Sequence, residues 1–143
     1  MFNKLIVALM PLAPRFIVKM ISKRYIAGED TPSAMATCKQ LNAQGFLTTG
    51  DILGESVTTN DQAREACDSY LDLITEVSKS NIEKNISLKP TAMGLGLSYD
   101  MAFEFIAAIV QKAHESGVFI RIDMEDSPYT DKTLEMYERL RDQ

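Results

Sequence analysis

Residues 85–123 read NISLKPTAMGLGLSYDMAFEFIAAIVQKAHESGVFIRID, and their pattern indicates the fold class of the chain. An apolar run at 85–90 is followed by a loop with two glycines, a segment with apolar residues at helical spacing, and a second apolar run at 118–123. Ser98 can cap the helical segment and Gly117 can end it. The order of strand, helix and strand predicts a crossover unit with two parallel strands.

The same alternation extends on both sides of this unit. Upstream, FLTTGDIL at 46–53 is a further short strand candidate, and a long helix with an apolar stripe begins near residue 60. Downstream, a loop leads to a last helix that begins near residue 130. We therefore predict one α/β domain, with N-terminal helices in residues 1–44 and about three βα units in residues 45–143.

The sequence also predicts the capping residues of two of these helices and the buried face of one. Thr31 can cap the helix that precedes the first strand, with Pro32 at its first position. Thr130 or Asp131 can cap the last helix. The predicted apolar stripe of that last helix consists of Leu134, Tyr137 and Leu140.

The composition is that of an ordinary globular domain, with 143 residues of which 45% are apolar and 24% charged. Twenty acidic and 15 basic side chains give a net charge of −5, which disfavours a nucleic-acid partner. No apolar run reaches the roughly 18 residues that suggest a membrane-spanning helix. Cys38 and Cys67 each fall on an apolar stripe, so we expect two buried thiols in a reducing, cytoplasmic compartment.

The N-terminal segment allows three interpretations. Lys4 followed by apolar residues 5–10 is similar to a signal peptide, but Pro11 and Pro14 interrupt the apolar run. Residues 15–25 then have the pattern of an amphipathic helix with a basic face. We expect this helix to dock on the protein's own core. A peripheral contact with an anionic membrane surface is the alternative, and a cleaved signal is the third interpretation.

Charged residues follow the predicted strands at the point where each strand ends. Asp51 closes the first strand, Lys89 closes the second, and Asp123 and Glu125 follow the third. Ligands of parallel α/β folds bind outside the carboxyl ends of the strands, so these side chains are candidates for a site. Lys89 is the most informative, because a lysine in a strand buried on both faces is costly unless it is paired. Asp123 is its candidate partner.

This arrangement is compatible with three chemistries, unless the side chains simply reach solvent at the strand rim. A desolvated Lys89 can form a Schiff base with a carbonyl substrate, whereas a charged Lys89 can clamp a carboxylate or a phosphate. Asp123, Glu125 and Asp126 could instead hold Mg²⁺, but acidic loop residues are more often solvated or act as helix caps, so we expect no metal. No G-x-G-x-x-G fingerprint follows any strand, and we interpret the two glycines of the loop after Lys89 as a source of flexibility.

Four stretches of the sequence, taken in order, are similar to one enzyme family. They are MPLAPRFIVKMISKRYIAGED at 10–30, LTTGDILGESVTT at 47–59, ISLKPTAMGLGL at 86–97 and GVFIRIDMEDSPYTD at 117–131. LGESV, the lysine strand and RIDMEDS in succession are specific together. The chain resembles bacterial proline dehydrogenase, the monofunctional flavoenzyme family, over nearly its whole length.

The resemblance implies a (βα)8 TIM-like barrel that binds FAD at the carboxyl ends of its strands. It also implies that L-proline is oxidised at C5 to 1-pyrroline-5-carboxylate in proline catabolism, with hydride transfer to the flavin and a membrane quinone as electron acceptor. At the matching positions, Lys89 would help bind the substrate carboxylate, and Asp123 would be the active-site acidic residue that orients the charged network. Ile122 would touch FAD through its backbone.

The chain departs from this family in its length. A (βα)8 barrel typically needs about 250 residues, whereas the 143 residues here supply three recognisable βα units. The later strands that hold the flavin do not follow, nor does the helix with a tyrosine and paired arginines that binds the proline carboxylate. We therefore expect a truncated chain that is inactive alone. The alternatives are a non-catalytic, self-associating half-barrel and a Schiff-base lyase built on Lys89.

Overall fold

Four α-helices and two short strands make up the part of the chain that the structure describes, which is Pro14 and residues 25–142 of a computed structural model. In chain order the elements are α1 (Thr31–Ala43), α2 (Asn60–Lys79), β1 (Asn85–Leu88), α3 (Tyr99–Ser116), β2 (Phe119–Ile122), a short 3-10 turn (Ser127–Tyr129) and α4 (Thr130–Arg141). The predicted amphipathic N-terminal helix and the segment similar to a signal peptide lie outside the described residues.

The chain divides into two compact units after Cys38, within α1. The predicted boundary between N-terminal helices and βα units, at residues 44 and 45, stays a prediction. Throughout the described ranges, every helix is too short or too polar to cross a membrane.

The two strands are parallel neighbours joined through α3, so the predicted crossover unit is confirmed. Asn85 lies opposite Phe119 and Leu88 lies opposite Ile122. β1 is buried over residues 86–88, whereas β2 alternates between exposed and half-buried positions. The difference arises because β1 has a neighbour on each side, while β2 is the edge of the sheet among the described residues.

The predicted strand at 46–53 is reduced to a single bridge. The N–H of Gly50 donates to the carbonyl of Asn85 over 2.9 Å, and the N–H of Ser87 donates to the carbonyl of Gly50 over 2.8 Å. The exposed apolar side chains of this segment are Phe46, Leu47 and Leu53. Because the segment buries so little, pairing on one side does not extend the strand beyond the bridge.

Local signals set the ends of the two long helices, as predicted. Thr59 accepts from the backbone of Gln62 while the Gln62 side chain accepts from the backbone of Thr59, which forms a capping box at the start of α2. Ser98 accepts from the N–H of Met101 at the start of α3. Gly117 ends α3 in the left-handed conformation with φ 64°.

The predicted caps of the other two helices are wrong. α1 begins at Thr31, but Asp30 is its cap, because the Asp30 Oδ1 accepts from the N–H of Ser33 over 2.8 Å. No side chain caps α4, because the preceding 3-10 turn runs directly into Thr130. The cap of α1 thus lies one residue before the predicted one, and the 3-10 turn takes the place of a cap at α4.

The core lies where α2 and α3 pack together and against β1. Its fully buried side chains include Tyr70, Ile74, Val77, Ile86, Leu88, Ile106, Ile109 and Met136. Cys67 is buried as predicted, whereas Cys38 is only half-buried, and both are free thiols.

The predicted apolar stripe of α4 is wrong. Thr133 and Met136 are buried, whereas Leu134 and Tyr137 are 48% and 52% exposed. A shift of one residue turns a helix face by about 100°. The contact between α3 and α4 selects the inward face, so Leu134 and Tyr137 point to a side that no described element covers.

Candidate active site at the carboxyl ends of the strands

Lys89 forms an ion pair directly after β1. Its Nζ lies 3.3 Å from Oδ2 of Asp51, the residue that follows the Gly50 bridge. The two side chains are 26% and 29% exposed, so the pair is partly shielded from solvent yet open to a ligand. This pairing offsets the cost of placing a lysine beside a buried strand.

Tyr70 of α2 holds the other oxygen of Asp51. Its hydroxyl donates to Asp51 Oδ1 over 3.0 Å, and the N–H of Ile52 donates to the Tyr70 hydroxyl over 3.4 Å. Burial and the neighbouring charge of Asp51 raise the pKa of Tyr70, so the phenol stays protonated and remains a donor. Helical spacing predicts only a core position for Tyr70, and no local signal points to its contact with Asp51.

The surroundings of Lys89 determine its charge. Partial burial lowers the pKa of Lys89, but the charge of Asp51 and the hydrogen bond to it raise the pKa, and Asp123 and Glu55 add to that rise. The net pKa lies above the ordinary lysine value, so Lys89 is positively charged at neutral pH. A Schiff-base lysine needs a lowered pKa, and the arrangement therefore favours an anion clamp.

Asp123 lies at the end of β2, on the same edge of the sheet as Lys89. Its N–H donates to a β1 carbonyl over 2.9 Å, which continues the ladder past the strand. Its carboxylate lies 3.3 Å from Nε of Arg121. The direct partner of Lys89 is thus Asp51 rather than Asp123, which acts on Lys89 through space. Because β1 lies in the middle of three parallel segments, an acidic residue flanks Lys89 on each side, but the carboxylate of Asp123 is paired with Arg121.

Ile122 is the half-buried last residue of β2. The N–H groups of Phe119 and Asp123 both donate towards β1, each over 2.9 Å. Because successive backbone groups of a strand point in opposite directions, those of Ile122 point away from β1. These groups face the edge of the sheet that is open among the described residues, where a further strand would pair. The expected backbone contact of Ile122 with a cofactor stays a prediction.

Glu125 does not form a metal site with its acidic neighbours. Its carboxylate accepts the N–H of Thr91 over 2.8 Å and also accepts the hydroxyl of Thr91. Within residues 25–142, no group of three His, Cys, Asp or Glu side chains is placed to hold a metal ion. Thr91 was not predicted as a site residue, and the one available signal is its position two residues after Lys89.

The loop after Lys89 is a packed turn rather than a flexible segment. Residues 90–95 are buried. Gly94 has φ 86°, and a Cβ there would lie 2.5 Å from Cε of Met101. The left-handed backbone of Gly94 requires glycine, so the interpretation of flexibility is corrected at Gly94. For Gly96, which is exposed, it stays a prediction.

A cavity of about 500 Å³ is lined by residues that precede β1, among them Lys39, Asn42 and Ile82. These residues lie at the opposite end of β1 from Lys89. The charged residues at the carboxyl ends of the strands therefore form an open edge rather than the wall of that cavity.

Comparison with solved structures supports the barrel prediction. The chain is similar to the crystal structure of proline utilization A (PutA) from Bdellovibrio bacteriovorus inactivated by N-propargylglycine, with a TM-score of 0.78 and 24% identity. The similarity covers 94% of this chain and 17% of that chain. The fold is α/β and corresponds to part of a TIM-like barrel.

Curated relatives are similar over most of this chain. Proline dehydrogenase 2 of Bacillus subtilis (strain 168) is 32% identical over 123 residues, which are 86% of this chain and 41% of that protein. Proline dehydrogenase of Deinococcus radiodurans is 31% identical over 123 residues, which are 84% of this chain and 40% of that protein. The chain thus spans about two fifths of the length of these relatives.

The family model for proline dehydrogenase matches residues 34–143. This range includes both strands and every charged residue described at their carboxyl ends. Because this match covers more than half of the chain, the chain belongs to the proline dehydrogenase family.

Proposed function

We propose that this chain contributes the Lys89 side of an active site that oxidises L-proline to 1-pyrroline-5-carboxylate in proline catabolism. Family membership supports the reaction class. The observation that carries the proposal is the charged Lys89, held by Asp51 at the carboxyl end of β1. Parallel α/β folds bind their ligands at this end.

The substrate explains why a charged lysine is useful there. Proline carries a carboxylate, and a lysine that keeps its proton is a fixed positive charge for binding it. We propose that Lys89 binds this carboxylate and that Asp123, which also acts on the charge of Lys89, orients the charged network. The oxidation removes a hydride from C5 and a proton from the ring nitrogen, which forms the C=N bond of the product.

The support for a flavin contact is one of position. Ile122 ends β2 directly before Asp123, at the edge of the sheet where Lys89 also lies. We propose that Ile122 contacts FAD through its backbone. When bound, FAD supplies the hydride acceptor, with a membrane quinone as the final acceptor.

Alone, this chain is expected not to carry out the reaction. The described residues supply three parallel segments, whereas a TIM-like barrel has eight strands around its site. The purified chain should bind FAD weakly or not at all and should show no proline-dependent dye reduction. A yellow, stoichiometric flavoprotein would contradict this part of the proposal.

A chimaera tests the proposed function directly. Residues 34–143 of this chain would replace the matching part of Bacillus subtilis proline dehydrogenase 2, and proline-dependent dye reduction would be measured. Lys89→Ala should lower kcat/KM roughly 10- to 150-fold, the equivalent of about 1.5–3 kcal/mol for a hydrogen bond to a charged group. Lys132→Ala is the matched control, because Lys132 is an exposed lysine of α4.

Two outcomes of this experiment would overturn the proposal. One is a folded, flavin-containing chimaera without proline oxidation. The other is Lys89→Ala with unchanged kinetics, which would remove Lys89 from the site. Reductive trapping of substrate on Lys89 would instead favour the lyase.

We also propose a cytoplasmic location, with a peripheral membrane contact through residues 15–25 as the alternative to docking of that segment on the protein's own core. The support is the basic, amphipathic pattern of those residues together with the proposed quinone acceptor. Flotation with vesicles that contain anionic lipid should carry the chain upwards, and vesicles of neutral lipid should not.

A further inference from the structure

Thr91 is almost fully buried, and its polar groups contact two other segments, the loop after β2 and the segment after Gly50. It is 2% exposed and lies two residues after Lys89. Its hydroxyl donates to Glu125 and accepts the N–H of Ser56, while its carbonyl accepts the N–H of Val57. A hydroxyl can donate one hydrogen bond while it accepts others, and Thr91 uses both capacities here.

We propose that Thr91 is a positioning residue that fastens the loop after β2 and the segment after Gly50 to the loop after β1. It holds Asp123 and Glu55 in place around Lys89. This inference rests on the proposed function, which makes Lys89 the group that binds the substrate.

The tie to the loop after β2 runs through Glu125. The Thr91 N–H donates to Glu125 Oε2 over 2.8 Å, and the Thr91 hydroxyl donates to Glu125 Oε1. Two hydrogen bonds from one residue set both the position and the orientation of a carboxylate. Asp123 precedes Glu125 by two residues, so this contact restrains the path of the chain beside Asp123.

The tie to the segment after Gly50 runs through Ser56 and Val57. The N–H of Ser56 donates to the Thr91 hydroxyl over 3.0 Å, and the N–H of Val57 donates to the Thr91 carbonyl over 3.4 Å. Ser56 has φ 52°, a left-handed conformation that a residue other than glycine keeps only where its surroundings hold it. Glu55 directly precedes this held residue.

The two tied loops carry carboxylates that act on Lys89. Asp123 and Glu55 both raise the pKa of Lys89, in addition to the larger effect of its direct partner Asp51. If the Thr91 hydroxyl is lost, both loops gain freedom and their carboxylates move away from Lys89 on average. The pKa of Lys89 should then fall towards its ordinary value.

Three variants of the whole chain test this inference. Thr91→Val removes the hydroxyl at nearly constant shape, and Thr91→Ser keeps the hydroxyl. Thr133→Val is the matched control, because Thr133 is 3% exposed and its hydroxyl has no hydrogen-bond partner among the described residues. The readouts are the pKa of Lys89 by NMR and the hydrogen exchange of the Ser56 amide.

We expect Thr91→Val to lower the pKa of Lys89 and to speed exchange at Ser56 roughly tenfold, the effect of losing one hydrogen bond. Thr91→Ser and Thr133→Val should leave both readouts unchanged. A purely structural role would lower the stability of Thr91→Val but leave the pKa of Lys89 in the folded protein unaltered. That result, or equal effects of Thr91→Ser and Thr91→Val, would overturn the inference.

A second pair of variants decides the question if Thr91→Val does not fold. Glu125→Ala removes both oxygens that accept from Thr91, and Asp126→Ala removes a neighbouring exposed carboxylate that does not contact Thr91. Glu125→Ala should lower the pKa of Lys89 and Asp126→Ala should not. Equal effects would overturn the inference. Neither the pKa of Lys89 nor the hydrogen exchange of Ser56 requires enzyme activity. Failure of this inference is therefore distinguishable from failure of proline oxidation in the chimaera.

Discussion

Lys89, Asp51 and Tyr70 form a short chain of polar contacts in which each group depends on the next. The Lys89 ammonium is 3.3 Å from Asp51, and Tyr70 donates to the same carboxylate over 3.0 Å. A partly exposed ion pair adds little stability by itself. The hydrogen bond from the buried Tyr70 hydroxyl fixes the orientation of the Asp51 carboxylate. The negative charge of Asp51 is thereby placed beside Lys89. At the scale of the residue, these contacts set protonation states rather than the fold.

Alkaline pH should reveal this coupling. In the unfolded chain Tyr70 loses its proton near its ordinary pKa of 10.0, whereas the folded protein keeps that proton to higher pH. The unfolded state then binds fewer protons, so the free energy of unfolding falls as pH rises above about 10. Lys89 acts in the same direction, because its folded pKa lies above its ordinary value of 10.5.

Urea unfolding of Tyr70→Phe at about pH 8 and about pH 11 measures the effect of Tyr70. The variant should lose less stability over this interval than the wild type does. Tyr137→Phe, at an exposed position of α4, is the control and should behave as the wild type. Equal losses in all three proteins would contradict the prediction.

At the scale of the element, the loop after β1 is as ordered as the strand that it follows. Residues 90–95 are buried, and Thr91 makes hydrogen bonds to two other loops. Gly94 turns the chain back with φ 86° so that Ser98 can cap α3. The loop thus connects the position of Lys89 to the start of the crossover helix.

Gly94→Ala should be destabilising for two reasons. The left-handed backbone is strained for alanine, and its Cβ would lie 3.2 Å from Cβ of Ala63 and would displace the end of the Met101 side chain. We expect a loss of about 1–3 kcal/mol in the free energy of unfolding. Gly54→Ala is the matched control, because a Cβ there meets no atom within 4 Å. A Gly94→Ala protein as stable as Gly54→Ala would show that the loop rearranges at little cost.

At the scale of the whole molecule, apolar surface remains on α4 and beside the sheet. Leu134 and Tyr137 are about half exposed and Phe119 is 62% exposed. β2 has its one strand partner in β1 among the described residues, which leaves its other edge open to pairing. Exposed apolar patches beside an open edge favour association, and a net charge of −5 opposes it only at short range.

We therefore expect the purified chain to form a dimer or larger assembly, or to bind hydrophobic dyes. Leu134→Glu should weaken association measured by analytical ultracentrifugation, because it places a charge in the apolar face of α4. Gln40→Glu adds the same charge at an exposed position of α1 and should have no effect. A compact wild-type monomer that unfolds cooperatively and binds no dye would contradict this prediction.

Features that depend on neighbours along the chain could be predicted from residue order alone. The capping box at Thr59, the Ser98 cap and the left-handed Gly117 follow from hydrogen bonds within a few residues, and these signals set the ends of α2 and α3. Apolar runs separated by a helix were enough to predict parallel β1 and β2. The placement of Lys89 and Asp123 at one edge followed from that topology.

The contacts across the sheet, by contrast, could not be predicted and follow from the packing of distant segments. Asp51 rather than Asp123 pairs with Lys89, and Thr91 binds Glu125. Packing against α3 also buries a face of α4 that is shifted by one residue from the predicted stripe, so that Met136 rather than Tyr137 is buried. The physical reason is common to all three: hydrogen bonds and apolar contacts between residues distant in sequence depend on register and helix rotation. A pattern of residue types along one chain does not specify either, because several registers satisfy the same local periodicity.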